Sequence, residues 1–208
     1  GYKFNMLVGS SANPLTVNTT TAFYNDPSYG VSVNMGTQSQ LNLLKNTTLI
    51  DSYFTTGGAG TGLVGVMKTD DSNGALNNQQ GILTNNPGGC FGLPIQGSGA
   101  QDGLVASSGS TYLAPNIVGI TAGQLAALDQ SSGNSIVING GSIAALGGVV
   151  GPTTANRVFI GQFTTDGVFT FALNIQIQPV TGGAQSAENY YASNPPSGGL
   201  THASLTLA

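Results

Sequence analysis

Phe169-Thr170-Phe171-Ala172-Leu173-Asn174-Ile175-Gln176-Ile177-Gln178 alternates large apolar side chains with small or uncharged polar ones. A period of two places each set on its own face of a strand, so the stretch reads as a half-buried β-strand. Just before it, Arg157-Val158-Phe159-Ile160-Gly161-Gln162-Phe163 also reads as strand. The link Thr164-Thr165-Asp166-Gly167 carries Asp-Gly, a dipeptide suited to tight hairpin turns. Residues 157–178 are therefore expected to form an antiparallel hairpin at the centre of the fold.

Outward from this hairpin the same period recurs. Tyr2, Phe4, Met6 and Val8 alternate at the N-terminus, and Leu15, Val17, Thr19, Thr21 and Phe23 follow in a Thr-rich run. Val31–Met35, Thr48–Thr55, Leu63–Lys68, Tyr112–Ile120, Ser135–Ile138 and the terminal Ala203, Leu205 and Leu207 are further strand candidates. Asn13-Pro14, Asp26-Pro27, Asn73-Gly74, Asn86-Pro87-Gly88 and Asn139-Gly140-Gly141 punctuate them with turns. One helix is expected at Gln124–Leu128, with Thr121 as cap and Gln124 in capping-box position, and Gln38–Leu44 is a weaker second candidate. The prediction is a mainly β chain, an antiparallel β-sandwich or jelly-roll-like single domain over residues 1–208, with residues 69–110 as a long Gly/Asn-rich loop region.

Charge excludes more than it suggests. Lys, Arg, Asp and Glu make up 6 % of 208 residues, where an ordinary domain carries roughly 25 %. Four cations cannot neutralise a phosphate backbone, so no nucleic-acid partner is expected. A formal net charge of −4 with 39 % hydrophobic residues does not fit charge-driven disorder. One Glu and three Lys cannot clothe a coiled coil. No run approaches the roughly 20 apolar residues of a membrane-spanning helix.

The chemical motifs are sparse, and the prediction is a chain that is not an enzyme, with no catalytic, cofactor-binding or metal-binding residues. Gly60-Thr61-Gly62-Leu63-Val64-Gly65 matches G-x-G-x-x-G, but Leu63–Met67 reads as strand where a dinucleotide fold needs a helix. Asp70-Asp71-Ser72-Asn73-Gly74 lacks the alternating ligand spacing of a calcium loop and reads as a solvated turn, leaving open a weak Ca²⁺ site completed by another loop. His202, the single histidine, has no G-x-S-x-G elbow to serve. Cys90 stands alone, a small hydrophobe or a loop thiol, with an intersubunit disulfide as the alternative. Asn18-Thr19-Thr20 and Asn46-Thr47-Thr48 are glycosylation sequons whose use depends on the source.

The stretch Arg157–Ile177, followed by Glu188-Asn189-Tyr190-Tyr191-Ala192-Ser193-Asn194-Pro195, resembles secreted surface proteins of Bacteroidota-type bacteria. The resemblance covers the last ninety or so residues, contains no catalytic motif and implies only an exported β-rich protein. A start at Gly1, without Met, is the start expected of a chain whose leader has been removed.

A surface rich in Asn, Thr, Ser, Gln and Gly is wettable but offers little repulsion between copies. Its amides and hydroxyls pair across contacts without the desolvation cost of ions. The expected function is a non-enzymatic structural subunit of an extracellular or cell-surface assembly (a filament, fimbria-like fibre, sheath or surface layer), with copies of itself as partner. Its N-terminal or C-terminal strand is a candidate for completing a neighbour's sheet. The alternative is a secreted adhesin or a carbohydrate- or ice-binding module, with Tyr24 and Tyr29, or Tyr190 and Tyr191, as stacking residues.

Overall fold

A computed structural model describes residues 1–28, 30–33, 51–59, 110–113, 115–129, 133–151, 156, 158–181 and 186–208. The chain is mainly β. In order run β1 (Tyr2–Gly9), β2 (Leu15–Thr19), β3 (Tyr53–Ala59), β4 (Ser110–Leu113), β5 (Asn116–Val118), α1 (Ala122–Leu125), β6 (Ser135–Ile138) and β7 (Gly141–Val149). They are followed by β8 (Phe159–Gln162), β9 (Phe169–Ala172), β10 (Ile175–Pro179), β11 (Glu188–Tyr191), β12 (Leu200–Thr201) and β13 (Thr206–Leu207).

Three sheets result: a six-stranded one in the order β12-β11-β10-β1-β7-β5, a four-stranded one in the order β13-β9-β2-β6, and a three-stranded one in the order β4-β3-β8. Among the described residues, pairing is antiparallel apart from β11 with β12 and a single bridge between Val33 and Phe54. All three sheets feed one core. Phe4, Leu7, Ile143 and Val149 enter it from the first, Leu15, Val17, Ile136 and Ile138 from the second, and Phe54 from the third. Phe163 links the third sheet to the second, with ring centroids 5.1 Å from Phe54, 5.6 Å from Phe169 and 5.9 Å from Phe23.

The central hairpin is not formed. β8 pairs with β3, whereas β9 pairs with β2 and β13. The link after β8 is drawn away by the Thr-rich run of the N-terminal half: Thr165 Oγ1 lies 2.7 Å from Thr19 Oγ1 and 2.9 Å from Thr21 Oγ1, and Val168 N–H donates to Thr20 Oγ1 at 2.9 Å. The long alternating strand is also broken in two, since β9 belongs to the second sheet and β10 to the first. Asn174, 2 % exposed, makes the break. Its Nδ2 donates to the carbonyls of Val8 (3.2 Å) and Asn13 (2.9 Å), and its Oδ1 accepts from Ala192 N–H (3.1 Å). An amide with backbone partners of this kind holds the crossing between sheets instead of facing solvent.

Other boundaries shift for local reasons. In β1 the register slips between Phe4 and Met6, so Phe4 and Leu7 face the core, and the expected alternation through Met6 and Val8 fails. A bulge of this kind inverts the facing of everything beyond it. On the partner strand, the four residues between Ala144 and Val149 stand against the single Asn5 between Met6 and Phe4, and Gly147 and Gly148 adopt φ of 79° and 72°. Left-handed φ favours glycine there, and a β-carbon on Gly148 would stand 2.8 Å from Asn5 Oδ1. The strand expected at Leu15–Phe23 ends at Thr19, although Phe23 is fully buried. The span Tyr112–Ile120 divides into β4 and β5. The C-terminal run is a 3-10 turn, Ala203–Leu205, before β13, with Leu205 alone buried.

Two expectations are met closely. β6 occupies Ser135–Ile138 with Ile136 and Ile138 in the core. The helix opens with the expected capping box, in which Gln124 Oε1 accepts from Thr121 N–H at 2.8 Å, and α1 passes into a 3-10 turn at Ala126–Leu128. Residues 69–109, the Gly60–Gly65 motif, the candidates Gln38–Leu44 and Leu63–Lys68, and Asn46, Asp70, Asp71, Cys90 and Arg157 lie outside the described residues.

Candidate functional site

The first sheet turns Phe4, Leu7 and Ile175 toward the core. Cross-strand partners share a face, so Lys3 and Gln178 lie together on the opposite side, as do Met6 with Gln176 and Gln176 with Asn189. The row of Met6 and Gln176 extends through Ala144 to Asn116 and thus crosses five strands.

Amides on this face bond to one another. Asn5 Nδ2 donates to Gln176 Oε1 at 3.1 Å and to Gln178 Oε1 at 2.9 Å. Gln176 Nε2 passes the chain on to Asn189 Oδ1 at 3.1 Å. Asn5 stands between Lys3, paired with Gln178, and Met6, paired with Gln176, which sets its amide between the two glutamines. Among the described residues, the amide nitrogens of Gln178 and Asn189 keep their hydrogens for an outside acceptor. Lys3, beside Gln178, is the cation next to the ladder, its Nζ donating to the Gly147 carbonyl at 3.0 Å. The result is an oriented, uncharged ladder of side-chain amides.

At the margin of the same sheet Glu188 lies between two phenols. Its Oε1 accepts from Tyr2 Oη at 3.3 Å and its Oε2 from Tyr190 Oη at 2.9 Å. The bond to Glu188 holds the Tyr190 proton and raises its pKa above the ordinary 10.0. Desolvation, the carboxylate charge and Tyr2 act in the same direction. Tyr190 and Tyr191 are adjacent in β11 and so point to opposite faces, which prevents them from forming one stacking platform. Tyr24 is half-buried, and Tyr29 lies outside the described residues.

The titratable groups are dispersed. His202 is exposed and spends Nδ1 on Ser204 N–H at 3.2 Å, capping the C-terminal 3-10 turn. Asp166, exposed, accepts from Thr21 Oγ1 at 2.6 Å. Asp26 and Asp51 are buried beside one another, with Asp26 N–H donating to Asp51 Oδ1 at 2.7 Å and Ser28 N–H to Asp26 Oδ1 at 2.9 Å. Sequence reading missed this proximity, because the two lie on separate turn-like segments with no common motif. Nearby, Asn25 Nδ2 donates to the carbonyls of Ser52 (3.1 Å) and Leu128, and Gln162 Nε2 to that of Asp51 (2.7 Å). These contacts tie loop to strand. Among the described residues no three His, Cys, Asp or Glu side chains gather to hold a metal ion, and no helix is long and apolar enough to cross a membrane.

Asn18 of the first sequon lies on β2, and its Oδ1 accepts from Ser135 Oγ at 2.7 Å. Comparison with protein families, curated proteins and solved structures gives no match to this chain.

Proposed function

We propose that the chain is a non-enzymatic structural subunit of an extracellular or cell-surface assembly, joined to copies of itself through uncharged polar faces. The observation that carries this reading is the amide ladder Gln178–Asn5–Gln176–Asn189, which spans three strands with no free charge among its members. Such a face loses less on desolvation than one of unpaired amides, because three hydrogen bonds are already made within the ladder.

The faces suit this role better than the sheet edges do. Among the described residues, the edge strands β4, β5, β6, β8, β12 and β13 are two to four residues long, and short edges limit strand addition. β1 lies between β10 and β7 in its own sheet, so the N-terminal strand is not free for donation from this fold. Negative-stain microscopy of the native protein tests the proposal: regular fibres or sheets support it, and a 20.9 kDa monomer at all concentrations overturns it.

A second reading, a glycan-binding module, is favoured by Tyr2, Glu188 and Tyr190. An exposed ring beside an oriented carboxylate offers stacking and a hydroxyl acceptor together. Glycan binding by a strictly monomeric protein, lost in Tyr2→Ala, would select it over assembly.

A further inference from the structure

The turn that joins β6 to β7 consists of Asn139 and Gly140, both exposed. Asparagine followed by glycine is open to attack on its side chain, because no β-carbon shields the glycine nitrogen. Three features of this structure leave that path clear. A β-carbon placed on Gly140 would meet no atom within 4 Å, so no part of the fold beyond its chain neighbours crowds that side of the residue. The Gly140 N–H has no hydrogen-bond partner among the described residues, so no existing bond has to break before it reacts. The Asn139 side chain is also oriented: Gln124 Nε2 donates to its Oδ1 at 3.0 Å, which polarises the Cγ carbonyl, while Nδ2 keeps no partner among the described residues.

We propose that Asn139-Gly140 is a self-modifying site, at which the chain converts its own asparagine to isoaspartate with Gln124 as the positioning residue. The Gly140 nitrogen loses its proton to solvent base and forms a bond to Asn139 Cγ. The Cγ–Nδ2 bond breaks, and Nδ2 leaves as ammonia after taking up a proton from solvent. Water then opens the cyclic imide at one of its two carbonyls, giving aspartate or isoaspartate. No oxidant, metal or enzyme enters the balance. The product adds a negative charge to a chain whose formal net charge is −4, and the isoaspartate form lengthens the β6–β7 turn by one backbone carbon. On a surface this poor in ions a single added carboxylate is a large change, placed where the second sheet hands the chain to the first.

The test incubates the full folded chain at mildly alkaline pH and follows isoaspartate at Asn139 by peptide mapping, beside the same chain held unfolded in urea. The folded chain is expected to react at Asn139 within a few-fold of the unfolded rate. Gly140→Ala should slow the folded reaction by about tenfold or more, by shielding the nitrogen. Gln124→Ala should slow the folded reaction roughly two- to fivefold, the modest leverage of one neutral hydrogen bond, and leave the unfolded rate unchanged. Protection of Asn139 by more than about tenfold on folding would overturn the proposal, because rigid turns that forbid ring closure give that result. Equal slowing by Gln124→Ala in both states would overturn the role given to Gln124. The wild-type comparison needs no variant to fold.

Discussion

Replacing Phe163 by alanine removes the ring that joins the second and third sheets, through Phe169 and Phe54. That ring sits 5.1 Å from Phe54 edge-on, 5.6 Å from Phe169 in a stacked pair and 5.9 Å from Phe23 at a tilt. A fully buried Phe→Ala costs about 3–5 kcal/mol, and each aromatic pair contributes about 0.5–1.5 kcal/mol beyond its area. Phe163 is half-buried, which lowers the first figure, but it has three ring partners, so Phe163→Ala should cost about 3 kcal/mol. Phe163→Leu keeps most of the apolar volume and loses the ring pairs, and should cost about 1.5 kcal/mol. The chain has no Trp, so equilibrium urea unfolding is best followed by tyrosine fluorescence and far-ultraviolet circular dichroism. With a slope of about 2 kcal/mol/M, the alanine variant's midpoint should fall by about 1.5 M with the slope unchanged. A loss under about 1 kcal/mol would refute the idea of a shared aromatic core. Separate transitions for separate sheets would refute it as well.

Three further predictions follow from single contacts. A β-carbon on Gly167 would stand 2.6–2.7 Å from the hydroxyls of Thr19, Thr20 and Thr21, so Gly167→Ala should cost about 1–3 kcal/mol in the same unfolding assay. Asn25→Ala strips the buried carbonyls of Ser52 and Leu128 of their donor and should cost at least about 2 kcal/mol, whereas Val168→Ala, on an exposed side chain, should stay within about 0.5 kcal/mol. The Tyr190 phenol has its pKa raised on folding. Its contribution to stability is therefore full below pH 10.0 and is lost as pH rises through the folded value. Glu188→Gln should bring Tyr190 ionisation back toward pH 10.0, read as the alkaline shift of its ring resonances.

The legible parts of the fold were those set by neighbours in sequence. The capping box needs only Thr121 and Gln124, three residues apart, and β6 needs only its own alternation at Ser135–Ile138. Alternation reveals a strand but not its partner, and that is where the hairpin reading failed. Phe169–Gln178 alternates without interruption, yet Asn174 is a buried bracket whose partners, Val8, Asn13 and Ala192, lie far away in sequence or beyond the strand. The amide ladder was half legible. Gln176 and Gln178 were visible as the polar side of one alternation and Asn5 as the polar side of another, but nothing in either stretch reveals that β1 and β10 are neighbours. The Glu188 pair of bonds was invisible for the same reason, since Tyr2 and Glu188 stand 186 positions apart.

The central claim is assembly through an uncharged face, and light scattering across ionic strength tests it most directly. Little exposed charge leaves little to screen, so the assembled mass should stay constant from about 50 mM to about 1 M salt. Gln176→Lys, which puts a cation in the middle of the ladder, should dissociate the assembly at low salt and allow it to reform at high salt. A wild-type particle that stays at 20.9 kDa, or one that salt alone dissolves, would contradict the account.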